Sequence, residues 1–276
     1  MLPVPLTEAH DRDAFGGKAS ALASALAAGL PVPGGWALPV ELVAAVGERR
    51  DPEACAAVAE LAAGDANLAV RSSAADEDGA AASFAGRHLT RLNVRGSSEL
   101  EEAVAEVWRS GHDEAALDYR RRMGITREPR VAVVVQHVVD AEVAGVLFSV
   151  DPMTGRDERV IEASWGLGEA VVSGLVTPDC FRVARGGTVL ERLAGLKDIA
   201  VRPAPGGGTE EVDVPDELIE QLCLGDEQLA QLVALTCDCD RVFGEPHDLE
   251  WACTGGGELF LLQRRPLTRV AGTAAR

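Results

Sequence analysis

The sequence predicts a fold that mixes α-helices with β-strands, and three stretches carry that reading. Residues 19–28 are alanine-rich, a strong helix-forming run that stops at Gly29 and Pro31. Residues 131–139 (VAVVVQHVV) form a continuous apolar run, the mark of a strand buried on both faces. Near the end, two β-like runs flank Thr254-Gly255-Gly256-Gly257, which reads as the turn of an antiparallel hairpin. The 276 residues are 47% hydrophobic and 25% charged, an ordinary globular composition long enough for one large domain or two lobes.

The remaining elements follow in order. Phe15-Gly16-Gly17-Lys18 leads into the first helix, and residues 31–39 (PVPGGWALP) are a turn-rich connector into a short strand. Residues 53–63 predict a second alanine-rich helix. Residues 68–71 predict a strand running into Ser72-Ser73, then an acidic loop, then a small-residue stretch through Gly86 into a strand at 89–94. Helices are expected at 98–110 and 113–123, the first capped by Ser97 or Ser98 with Glu102 near the third position. Strands at 143–150 and 159–163 bracket the turn Asp151-Pro152-Met153-Thr154-Gly155. Short strands at 181–183 and 189–192 flank Gly186-Gly187, a flexible loop spans 203–208, and helices occupy 215–224 and 226–243.

The hairpin at 248–265 can gather polar groups. With the four-residue turn, Glu250 is expected opposite Leu261 and Asp248 opposite Gln263. Because strand side chains alternate, Asp248, Glu250, Gln263 and Arg265 then share one face, while Trp251, Phe260 and Leu262 point to the other. A one-residue slip would undo this. Oxygen donors of this kind suit magnesium, and an adjacent arginine is a donor fork for phosphate. The same pattern also describes an amphipathic surface hairpin with one wet face.

Several function classes are excluded or demoted. The net charge of −18 argues against nucleic acid or an anionic membrane as the main partner. No secretory leader pattern and no membrane-length apolar run is present, so the cytoplasm is the expected compartment. Six cysteines without CxxC spacing read as free thiols. Gly17-Lys18 ends like a phosphate loop, but Arg12 stands where the first glycine belongs and Ala19 replaces the hydroxyl residue. Gly166-Leu167-Gly168 likewise fails as a dinucleotide fingerprint, since residue 171 is valine. Lysine occurs only at Lys18 and Lys197, which makes each worth testing. Lys18 beside a helix start can reach a phosphate, and Thr90 and the backbone around Gly86 suit a lid over phosphates. Gln136 interrupts the apolar run and needs a polar partner, either a purine or ribose group or a neighbouring backbone.

The segments GGKASALASALAAGLPVPGGWAL, VRSSAADED, SFAGRHLTRLNV, AVVVQHVV, GVLFSVDPMTG, IEASWGLGEAVVSGLVTPD and PHDLEWACTGGGELFLLQRRPLT occur in an order that resembles a known family. It is the N-terminal nucleotide-binding domain, of ATP-grasp type, of phosphoenolpyruvate synthase, pyruvate phosphate dikinase and rifampin phosphotransferase. The resemblance covers nearly the whole chain. It implies an α+β, bilobed ATP-grasp fold, with approximate lobes 1–130 and 131–276. It also implies ATP and Mg2+ as ligands. Lys18 and Arg71 would then sit on the phosphates, Gly86 and Thr90 in the lid loop, and Gln136 by the adenine. Glu250 and Gln263 would hold magnesium with Asp248 nearby, and Arg265 would bind the transferring phosphates, so that Lys18, Arg71 and Arg265 are the expected catalytic groups.

In that family ATP delivers a pyrophosphoryl group to a histidine on a separate swivelling domain, and AMP leaves. The family's threonine-serine-histidine run is absent from these 276 residues, as is the domain that binds phosphoenolpyruvate or drug. Lys18 and Arg71 also lie closer in sequence than the family pattern suggests, which implies a shortened first lobe. The expectation is therefore an ATP-binding subunit of a split dikinase or phosphotransferase whose partner carries the phosphorylatable histidine. Two alternatives stay open: a self-sufficient ATP-grasp kinase or ligase acting on a small molecule, and a non-catalytic ATP-sensing or assembly module.

Overall fold

The computed structural model describes residues 1–48, 51–64, 67–74, 89–122, 124–244 and 246–267. The chain forms two compact units, one of Met1–Ala27, Pro33–Val138 and Ala204–Gly208, the other of Ala28–Val32, Val139–Pro203 and Thr209–Arg276. The sequence reading divides the chain at 130/131. Strand 131–137 nevertheless belongs to the first unit, because it pairs with strands on both sides there.

The first unit is built on a five-stranded antiparallel sheet of order β1-β2-β5-β3-β4. Its strands are β1 (Val4–Pro5), β2 (Gly35–Leu38), β3 (Leu68–Ala74), β4 (Thr90–Val94) and β5 (Val131–His137). Five helices accompany it: α1 (Arg12–Ala27), α2 (Val40–Gly47), α3 (Pro52–Ala59), α4 (Gly96–His112) and α5 (Glu114–Arg122). Alternate residues of β3 and β5 divide between two faces. Leu68, Val70, Val133 and Val135 pack with Leu42, Val46, Val58, Leu100 and Val104 of α2, α3 and α4 into one apolar core. Ala69, Arg71 and Ser73 turn the other way, where α1 begins.

Local chemistry sets some of the element ends. Asp51 caps α3, its carboxylate accepting from the Glu53 and Ala54 amides, with Pro52 in the first turn. Helix α4 departs from expectation: Arg95 occupies the cap position, its amide donating to Glu99, and the Ser97 hydroxyl donates instead to the Ala59 carbonyl. Asn93 adopts a positive φ of 54° and is fully buried. Its amide nitrogen donates to the carbonyls of Ala204 and Gly208, both at 2.7 Å, and so holds the 204–208 segment.

The second unit centres on a six-stranded antiparallel sheet of order β13-β12-β6-β7-β8-β9. Its strands are β6 (Ala141–Phe148), β7 (Glu158–Trp165), β8 (Asp179–Ala184), β9 (Val189–Leu193), β12 (His247–Thr254) and β13 (Leu259–Pro266). A separate ladder joins β10 (Ile199–Pro203) to β11 (Thr209–Asp213), two strands the sequence reading missed on either side of its flexible loop. Short helices α6 (Glu169–Val172) and α7 (Asp216–Ile219) precede the long α8 (Asp226–Phe243). Helix α8 covers one face of the large sheet, where Arg159 and His247 reach its Asp240 at 3.6 and 3.1 Å and Arg264 lies over the Phe243 ring.

Two buried charge clusters brace this unit. Lys197 and Asp179 are both fully buried, with Nζ 2.6 Å from a carboxylate oxygen. Asp179 also accepts from the amides of Gly195 and Cys223 at 2.8 and 2.7 Å. Asp151 opens the turn after β6, accepting from the Met153 and Thr154 amides, and its second oxygen takes Arg182 at 2.5 Å. Arg182 also holds Glu158 and Glu191.

Candidate functional site

Within the first unit, Lys18 is positioned by a backbone clip. Gly16 interrupts α1 with φ 80°, and a Cβ there would fall 1.8 Å from the Ser73 carbonyl oxygen, so only glycine fits. The Ser73 hydroxyl donates to the Phe15 carbonyl at 2.7 Å and accepts from the Ala19 amide at 3.1 Å. That clip ties the turn carrying Lys18 to the strand carrying Arg71. Lys18 and Arg71 are only 5% and 8% exposed. By register Thr90 lies opposite Arg71, and Gln136 opposite Ala69, so Thr90, Arg71 and Gln136 share one sheet face. Gln136 is buried and donates to the Pro33 carbonyl at 3.1 Å, which is the backbone partner among the two the sequence allows. Gly86 lies outside the described residues.

In the second unit, the β12–β13 hairpin corrects the expected register twice. Its turn is one residue longer, with the Thr254 amide donating to the Glu258 carbonyl and Cys253 opposite Leu259. Then Leu262 bulges out between the pairs Trp251–Leu261 and Glu250–Gln263. Either change alone would send Gln263 and Arg265 to the wrong face. Together they restore it, so Glu250 stands opposite Gln263 and Asp248 opposite Arg265. The expected pairs Glu250–Leu261 and Asp248–Gln263 are therefore wrong while the shared polar face is right. Phe260, expected behind the sheet, lies opposite Ala252 on the polar face, and Leu261 takes its place beside the buried Trp251.

The polar face extends across neighbouring strands in two rows. One runs Gln263, Glu250, Val146, Glu162, Cys180, Leu193; the next runs Arg265, Asp248, Phe148, Val160, Arg182, Glu191. A third row, Phe260, Ala252, Ala144, Ser164, closes one end, and Gly168 just before α6 sits against Ala144 there. Arg265 Nε donates to Asp248 at 2.7 Å. Burial pushes the Asp248 carboxyl up from the usual carboxylate range, against the lowering pull of Arg265, and Glu250 adds to the rise.

The donor set fits magnesium in chemistry and in number. Asp248, Glu250 and Gln263 offer hard oxygens from one face, with only two carboxylates. Among the described residues no three His, Cys, Asp or Glu side chains form a group that could hold a metal ion by themselves. A cavity of about 620 Å³ opens elsewhere in this unit, between Trp165, the 221–224 segment, α8 and the hairpin turn. Its described lining is acidic and neutral, with Glu142, Glu227 and Gln231 among it.

The sequence reading missed three of these features. Lys197, which the sequence reading ranks as a weaker nucleotide contact than Lys18, is a buried structural partner of Asp179. Ser73 is the clip for Lys18 and was legible only as a small residue ending a strand. Glu162 joins the polar face through β6–β7 pairing, which no local signal in the β7 sequence announces.

These two sheets, each carrying a polar face, make the chain an α+β protein. Comparison with known sequences places it further. Residues 38–276 match the family model described as pyruvate phosphate dikinase, AMP/ATP-binding domain, and the chain belongs to that family. A probable phosphoenolpyruvate synthase of Methanothermobacter thermautotrophicus is 43% identical over 208 residues, 75% of this chain and 30% of that protein. A rifampicin phosphotransferase of Streptomyces sviceus is 43% identical over 204 residues, 73% of this chain and 23% of that protein. The chain thus spans less than a third of these relatives' length. Among solved structures, an L-amino acid ligase from Bacillus licheniformis aligns over 94% of this chain and 44% of its own, at 13% identity and a TM-score of 0.43. The biotin carboxylase domain of a Hydrogenobacter thermophilus 2-oxoglutarate carboxylase, a complex with MgADP, aligns over 94% and 41%, at 14% identity and a TM-score of 0.43. No helix among the described residues is long and apolar enough to cross a membrane.

Proposed function

We propose that this chain binds Mg-ATP in an ATP-grasp manner and serves as the nucleotide-binding part of a dikinase-type phosphotransferase. Its partner domain would carry a histidine that takes the pyrophosphoryl group as AMP leaves. The observation that most supports this is the doubly corrected hairpin, which sets Asp248, Glu250, Gln263 and Arg265 on one face despite two register changes. Glu250 and Gln263 would hold magnesium, with Asp248 beside them orienting Arg265. When bound, the metal would offset negative charge on the phosphates.

Lys18, Arg71 and Arg265 would bind and orient the phosphates. Catalysis here is positioning and charge stabilisation, with no covalent step on this chain. The test is product analysis of labelled ATP, first with the chain alone and then with a histidine-bearing partner domain in trans. Slow AMP release alone, and rapid release with label left on the partner, are expected. Fast AMP release by the chain alone, or stable label on one of its own five histidines, favours a self-sufficient enzyme instead.

A further inference from the structure

The cavity in the second unit, about 620 Å³, opens on the sheet face opposite the one proposed for the nucleotide. Cys253, Val143 and Trp165 form one row of its wall, and strand alternation turns that row away from Glu250 and Asp248. Val143 and Cys253 are buried, which makes the inner wall largely apolar. The volume is that of a small-molecule pocket, for which about 300–1,000 Å³ is usual.

The polar groups around that wall define what fits it. Gln231 of α8 lines the cavity, and its Oε1 is buried with no hydrogen-bond partner among the described residues. A buried acceptor left unpaired is costly, and a donor on a bound molecule would remove the cost. Glu142 and Glu227 stand exposed at the mouth and set the sign of the charge it attracts. Burial, and after it the Glu142 carboxylate, push the Cys253 thiol up, so that part of the wall stays uncharged. The Trp165 indole N–H donates to the Leu218 carbonyl at 3.1 Å, which fixes a ring able to hold a cation.

The hairpin turn leaves one side of the mouth bare. Gly257 adopts a positive φ of 82°, whereas Gly255 and Gly256 do not, so the backbone alone does not demand glycine at those two positions. A Cβ at Gly255 would come within 3.4 Å of the Glu142 carboxylate and narrow the opening. An acidic mouth repels anions. Among the described residues no group of His, Cys, Asp or Glu side chains could hold a metal ion there.

We propose that this cavity binds a small organic cation with N–H donors, of the primary-ammonium class. The ammonium donates to the Gln231 oxygen, Glu142 and Glu227 offset its charge, and the Trp165 ring packs on its alkyl body. The site lies off the nucleotide face and does not depend on the Mg-ATP reading.

Calorimetric titration with butane-1,4-diamine tests it, with uncharged butane-1,4-diol as the comparison. Salt at about 0.15 M screens diffuse attraction to a chain of net charge −18. The wild type should bind the diamine saturably and the diol not at all. Glu142→Gln and Gln231→Leu, each shown folded by circular dichroism, should bind the diamine about tenfold more weakly. Glu210→Gln removes the same charge from an exposed position on β11, outside the cavity lining, and should bind as wild type does. The absence of saturable binding by the wild type overturns the proposal. So does wild-type affinity in both cavity variants, an equal loss in Glu210→Gln, or diol binding as tight as diamine binding.

Discussion

At the scale of single residues, Glu250 and the two lysines separate function from stability. Glu250 projects from a strand paired on both sides, so Glu250→Ala should leave the fold intact. Turnover with a competent partner should fall about 100-fold or more, as for loss of one transition-state charge stabiliser. Near-normal turnover by a folded Glu250→Ala chain would remove it from the site. Lys18→Ala should weaken Mg-ATP binding or turnover strongly while thermal stability barely moves. Lys197→Ala should do the opposite, because it strands the fully buried Asp179 carboxylate. Breaking such a pair costs about 3–5 kcal/mol, and thermal denaturation reads it directly. The sequence alone ranks Lys197 as a weaker nucleotide contact; the structure makes it a stability determinant. Nothing in Gly195-Leu196-Lys197 announces that difference, since Asp179 is distant in sequence.

Among the elements, the β12–β13 hairpin shows how much of the site the sequence carries. Alternation of polar and apolar residues foretells which side chains face together, because the strand period is fixed. Turn length and bulge position are not written in that alternation, so the pairing itself is misread. Removing Leu262 should eliminate the bulge and leave Gln263 opposite Glu250 and Arg265 opposite Asp248, because Trp251 keeps Leu261 opposite and Gln263 becomes the next residue in the ladder. Retained Mg-ATP binding with a retained fold is expected, by calorimetry and circular dichroism; lost binding in a folded chain would mean that the bulge itself, and not the shared polar face alone, shapes the phosphate side. Helix α2 and the β10–β11 ladder are missed for a different reason. Val40–Gly47 follows Pro39 without a polar cap, and β11 (TEEVD) is too polar to stand out from a loop. The central strand β5 is legible at once, because six of its seven residues are buried.

For the whole molecule, acid sensitivity should trace to the cluster around Asp151. Burial alone would raise that carboxyl, but hydrogen bonds from Arg182, Thr154 and Met153 hold it well below the usual carboxylate range. A depressed carboxyl stabilises the fold above its unfolded value near pH 4, and that stability is lost as pH falls toward the folded value. Chemical denaturation should therefore show a steep loss of stability below about pH 4 in the wild type. Asp151→Asn should be less stable at neutral pH and nearly flat over that acid range; an unchanged acid limb would place the sensitivity elsewhere. The division of the chain has a further consequence, seen in the path of the backbone. Each unit is assembled from three separate stretches, and Asn93 of the first closes on a segment more than a hundred residues downstream. No single cut in the sequence can release either unit whole. During synthesis the first unit must wait, with Asn93 still open, until Ala204–Gly208 has left the ribosome. Its completion is therefore a late event, set by the long loop that must close.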